Sequence, residues 1–158
     1  MVYISKKDFS IHNYIPLQEY FEVDDLIAKT ISVLNKKGYY TEYCCSGHIL
    51  EESKMKIKKE INSLTEIPND APYKLIKKRK NKFLVEFYPL GASIYIKFNK
   101  EIRLLNIPED MLYDNNTVYY MLEYFDKDLN KIIDSDIILK IKNINKILYE
   151  WAVSLPKA

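Results

Sequence analysis

A helix that hands over directly to a strand constrains this chain more than any other feature. From Asp24 to Lys37 the apolar residues Val23, Leu26, Ile27, Ile31, Val33 and Leu34 recur close to helical spacing. Asp24 and Asp25 stand at the positive end of the helix dipole, and Lys36 and Lys37 at its negative end. Gly38 follows, where a left-handed C-cap carries no Cβ penalty. Tyr39-Tyr40-Thr41-Glu42-Tyr43-Cys44-Cys45 then reads as a strand from its aromatic and β-branched content. Alternation predicts Thr41, Tyr43 and Cys45 on one face and Tyr40, Glu42 and Cys44 on the other. Ser46-Gly47 ends the strand as a turn.

The rest of the chain supplies further elements and no internal repeat. Val2-Tyr3-Ile4 is a short strand candidate, followed by an irregular stretch around Pro16. Glu51 to Leu64 has a rough helical pattern in Met55, Ile57, Ile61 and Leu64, and Pro68 to Pro72 marks a loop. Phe83 to Tyr88 and Ala92 to Phe98 read as a hairpin joined by Pro89-Leu90-Gly91, with Gly91 free to take positive φ. Ile94, Ile96 and Phe98 share one face. Pro108-Glu109-Asp110 suits the start of a short helix. Thr117 to Phe125 is another strand. From Asp134 to Ser154, Ile137, Ile141, Ile144, Leu148 and Trp151 make a continuous helical stripe, with Pro156 just beyond. The order predicts an α+β fold: a mostly antiparallel sheet with two main helices packed on one face. The 158 residues suit a single domain.

Composition excludes whole-chain disorder, because 47% of residues are hydrophobic and 29% charged. A net charge of +2 does not by itself imply nucleic acid. Its distribution is more telling: Lys54, Lys56, Lys58, Lys59, Lys74, Lys77, Lys78, Arg79, Lys80 and Lys82 crowd one region. That run is either a solvated face or an anion-binding surface. Fourteen tyrosines suit both sheet packing and recognition. The start carries no leader pattern and no run is long enough to span a membrane, so a cytoplasmic location is expected. The two cysteines are adjacent, which is not the spacing of a disulfide framework.

The chemically pointed segment is Cys44-Cys45-Ser46-Gly47-His48. A thiol can be nucleophile or ligand, and an imidazole base or ligand. A metal site is not expected, since His12 is the only other histidine and no third cysteine exists, although Glu51 could contribute. Cys45, Ser46, Gly47 and His48 form the candidate ligand-binding residues, because backbone amides of such a turn can cradle an anion. No Walker motif, dinucleotide fingerprint or nucleophile elbow is present.

The segment Asn35 to Ile49 resembles the N-terminal motif of the wybutosine-synthesis tRNA methyltransferase family. Tyr40 and Thr41 match its strand, and Cys45, Ser46, Gly47 and Ile49 match its turn; His48 stands where that family has arginine and Cys44 where it has serine. This resemblance implies an α/β domain whose cleft holds S-adenosylmethionine and tRNA. The Cys-Ser-Gly-His turn, with its preceding helix and strand, also resembles small uncharacterised proteins of Firmicutes and their phages, which implies a bacterial or phage-related origin and no particular activity. Three functions fit the chain: a ligand-binding or accessory module holding a small anion or nucleic acid at the Ser-Gly-His turn, a nucleotide- or RNA-modifying enzyme, and a protein-interaction module.

Overall fold

The computed structural model describes residues 1–53 and 56–158. In chain order its elements are β1 (Val2–Ser5), β2 (Ile11–His12), β3 (Tyr20–Val23), α1 (Asp25–Lys36), β4 (Thr41–Cys45), β5 (Ile57–Ile61), β6 (Tyr73–Arg79), β7 (Lys82–Phe87), β8 (Gly91–Phe98), β9 (Leu112–Asp114), β10 (Thr117–Glu123) and α2 (Asp134–Ser154). Two helices with three antiparallel sheets make an α+β fold. Contacts gather the chain into two compact units, residues 1–47, 93–121 and 139–158, and residues 48–92 and 122–138.

In the first unit, β2–β1–β3 form one sheet and β4–β8–β10–β9 another. Helix α1 packs on β1 and β2 and also on β4, so it buries more than one stripe: Ile27, Ile31 and Leu34, and also Ala28, Ser32 and Asn35. Gly38 takes φ 94° as its cap position requires, and Tyr39 N–H closes on the Leu34 carbonyl at 2.9 Å. The Lys37 amide closes its own helix on the Val33 carbonyl at 3.1 Å, but its side chain turns to α2. Its ammonium donates to the carbonyls of Ala152, Val153 and Leu155, the negative end of α2. Ile94, Ile96 and Phe98 of β8 and Val118 of β10 are fully buried on one sheet face, as alternation predicts. The buried stripe of α2, Ile141, Ile144, Leu148 and Trp151, belongs to the same core.

The second unit holds the sheet β5–β7–β6. Here the structure corrects the sequence analysis twice. The segment expected to be helical over Glu51 to Leu64 is a single 3-10 turn at Leu50–Glu52 and then strand β5, with Met55 outside the described residues. Ile57 and Ile61 stand four apart, a spacing that fits one face of a helix and one face of a strand equally, so the pattern reads as weakly helical. The expected hairpin of β7 with β8 does not form either. Strand β7 pairs with β6 through the turn Lys80-Asn81, where Lys80 takes φ 51°, while β8 pairs with β4 in the other sheet. Gly91 is accordingly not a positive-φ turn residue. It is required by close approach: a Cβ there would sit 2.1 Å from the Leu122 carbonyl oxygen. Likewise Pro108 starts a turn rather than a helix, and β9 and β10 join through Asn115-Asn116, both at positive φ.

A methyl group at Gly91 has backbone as its neighbour and nowhere to move. Gly91→Ala is therefore expected to destabilise the protein by about 3 kcal/mol, the upper range for overpacking. Urea unfolding followed by circular dichroism checks this, and an unchanged midpoint would contradict the close approach.

Candidate functional site on the open sheet face

The turn after β4 is tied down by its own chain. Asp24 occupies the N-cap position of α1 but makes no capping hydrogen bond. Its Oδ2 instead accepts from Ser46 N–H at 3.2 Å and Ser46 Oγ–H at 3.0 Å. Asn145 of α2 donates to the Ser46 carbonyl at 2.8 Å. Ser46 is only 5% exposed, so these partners satisfy groups that water does not reach. The anion held by this turn is thus the Asp24 carboxylate. Gly47 takes φ 98°, and its Cβ would meet Ile94 at 2.8 Å and Ile141 at 3.2 Å. His48, at the start of the second unit, is half exposed; its carbonyl accepts from Tyr124 Oη at 2.6 Å and its Nδ1 lies 3.8 Å from Glu52.

The cysteines point to opposite faces, as alternation predicts. Cys44 pairs with buried Ile96, and Cys45 pairs with Tyr95. Burial pushes the Cys44 thiol up to about 12. Burial also raises Cys45, against a lowering hydrogen bond from the Gly47 amide, and the nearby Asp24 charge raises it further. Both thiols are therefore protonated near neutral pH, the opposite of an activated nucleophile. A second grouping, Asp8, Ser10 and His12, has the residue types of a hydrolytic triad in the wrong order. Ser10 Oγ donates to Asp8 at 2.6 Å and contacts His12 Nε2 at 2.8 Å, so the hydroxyl proton goes to the carboxylate rather than to the imidazole.

A β-bulge gives the sheet its outer face. Thr41 pairs with Phe98 and Tyr43 with Lys97, so Glu42 is the extra residue. Thr41 therefore does not share a face with Tyr43, contrary to simple alternation. Its hydroxyl turns to α1, where Asn35 Nδ2 donates to it at 2.9 Å. Tyr43 and Cys45 face outward beside Lys97 and Tyr95. Because Val118 is buried inward, its neighbours Thr117 and Tyr119 face outward as well. Ser93, Tyr95, Asp114, Thr117 and Tyr119 line a shallow recess of about 400 Å³. Ser93 Oγ donates to Met121 Sδ at 3.3 Å on the same face. Lys97 Nζ lies 6.0 Å from the centre of the Tyr43 ring. Burial lifts the Tyr95 phenol above its usual value, so it remains a hydrogen-bond donor. Tyr43 is 60% exposed and Met121 51%.

Sequence reasoning singled out Cys45 of this face but not Tyr95 or Tyr119. The signal was available: placing Ile94, Ile96 and Phe98 inward sends Ser93, Tyr95 and Lys97 outward. Searches of family models, curated proteins and solved structures find no match to this chain.

The Cys44 thiol sets a pH dependence. Its folded value near 12 stands above the unfolded 9, so its contribution to stability is complete below pH 9 and is lost as pH rises toward 12. The urea midpoint of the wild type is expected to fall across that window more steeply than that of Cys44→Ala. Parallel pH profiles would contradict the burial of this thiol.

Proposed function

We propose that this chain is a binding module for single-stranded nucleic acid, and that bases stack on the outer face of β4–β8–β10–β9. The observation that carries this is the placement of Tyr43, Tyr95 and Tyr119, one on each of three neighbouring strands, on the sheet face opposite the buried Ile94, Ile96 and Val118. Flat aromatic rings accept any base by stacking, at about 1–3 kcal/mol per base. Sheets that bind single strands use aromatics in this way. The tyrosine hydroxyls, Ser93, Thr117 and Asp114 offer donors and acceptors to base edges, and Lys97 offers one cation to a phosphate. The protonated Cys45 thiol supports binding rather than covalent chemistry at this face.

The test compares a fluorescein-labelled oligothymidylate with an abasic strand of equal length by fluorescence anisotropy. Wild-type protein is expected to prefer the strand with bases. Tyr95→Ala and Tyr119→Ala are each expected to weaken it about tenfold, within the range of one lost stack. Tyr95→Phe keeps the ring and is expected to stay within about threefold. Equal binding of the two strands, or alanine variants that bind as wild type, would overturn the proposal and favour a protein partner for the exposed Tyr43, Leu112 and Met121.

A further inference from the structure

The lysine-rich region, read in sequence as either a solvated face or an anion-binding surface, is sorted by the register of the second unit. Residues opposite one another in a ladder share a face. Val85 pairs with Lys59 and Leu75, Phe83 with Ile61 and Lys78, and Phe87 with Ile57 and Tyr73. This first face is mostly apolar, and it is buried at Val85 (0% exposure) and Ile61 (4%) while Lys59 and Lys78 stay exposed. Its Lys78 lies against Phe83, 5.4 Å from the ring centre.

The second face is different. Glu86 is flanked by Lys58 and Lys74, Leu84 by Glu60 and Lys77, and Lys82 pairs with Arg79. A β-bulge between Leu75 and Lys77 adds the odd residue that brings Lys74, Lys77 and Arg79 onto this one side of β6. All of its lysines and Arg79 are exposed. Glu60 neutralises part of one cation, since its carboxylate lies 3.2 Å from Lys82 Nζ. A shallow recess of about 170 Å³ runs among Glu60, Lys77, Arg79, Lys82 and Leu84.

We propose that this basic face of β5–β7–β6 binds the sugar-phosphate backbone of nucleic acid. Side chains two apart on a strand recur about every 6.6 Å and neighbouring strands lie about 4.8 Å apart, so the cations form a grid rather than a point site. Five cations (Lys58, Lys74, Lys77, Arg79 and Lys82) against two carboxylates (Glu60 and Glu86) leave this grid of long side chains net positive, which suits a repeating polyanion better than a single small anion. Arg79 adds a bidentate donor for phosphate oxygens. Lysines on the edge strand β6 would also discourage pairing between edges. That role needs charge on the edge but not its concentration on one face. The proposal stands on residues of the second unit and does not require the tyrosine face to act.

The experiment measures oligothymidylate affinity against salt for the wild type and three variants. In Lys74→Glu/Lys77→Glu/Arg79→Glu the affinity is expected to drop at least tenfold at 0.1 M salt. The slope of log affinity against log salt should fall by about 2, since each lost contact to single-stranded phosphate removes about 0.7. Lys59→Glu/Lys78→Glu, on the other face, is expected to change the affinity by less than threefold. Lys74→Gln/Lys77→Gln/Arg79→Gln should show the same loss of slope if charge reversal impairs folding. Inorganic polyphosphate, which has no bases, should compete for wild type and not for the triple variants. Equal losses from both faces, an unchanged slope in the triple variants, or no competition by polyphosphate would overturn the proposal. Failure of the tyrosine face reads out separately, as loss of the preference for bases with the salt slope intact.

Discussion

Ser46 is where the first unit is fastened. Its amide and hydroxyl protons go to Asp24 at the start of α1, and its carbonyl takes the amide proton of Asn145 in α2. Three elements that are distant in sequence therefore meet on one buried residue at the end of β4. Hydrogen bonds to a carboxylate contribute about 1.5–3 kcal/mol each, and leaving such donors unmade in the interior costs more. Gly47 beside it allows Ile94 and Ile141 to close where any side chain would intrude. With its end pinned in this way, β4 has one register against β8, and that register aims Tyr43 and Cys45 outward.

From that constraint the rest of the face follows. A strand pinned at one end and bulged at Glu42 near the other presents different residues on either side of the bulge. Thr41 serves the helix, through Asn35, while Tyr43 serves the solvent side. The inward residues Ile94, Ile96, Phe98 and Val118 bear the packing. The outward tyrosines differ in cover: Tyr95 and Tyr119 are partly buried, and Tyr43 is 60% exposed with Lys97 Nζ over its ring. A partly buried ring has already lost part of its freedom, which lowers the cost of ordering it under a stacked base.

Much of the first unit was legible because its signals agree at several levels. The α1 periodicity, its end charges and Gly38 all specify one helix, and the stripe from Ile137 to Trp151 specifies the other. The inward set of β8 was legible by alternation alone. The second unit was hidden because β6 is exposed at every position, so its sequence lacks the apolar alternation that marks a strand. Gly91 misled for a related reason: a glycine looks the same in sequence whether it serves a turn or a close backbone approach. Gly47 takes positive φ directly after β4, but the carboxylate that accepts from Ser46 lies 22 positions away, and no local pattern announces such a pairing.

The most direct measurement is an NMR titration of isotope-labelled protein with oligothymidylate, following the tyrosine rings and backbone amides. Stacking on the open sheet predicts that ring signals of Tyr43, Tyr95 and Tyr119 shift first and most, with the amides of β8 and β10, while Ser46 and Asn145 keep their positions. Unmoved tyrosine rings at saturating oligothymidylate would contradict the account.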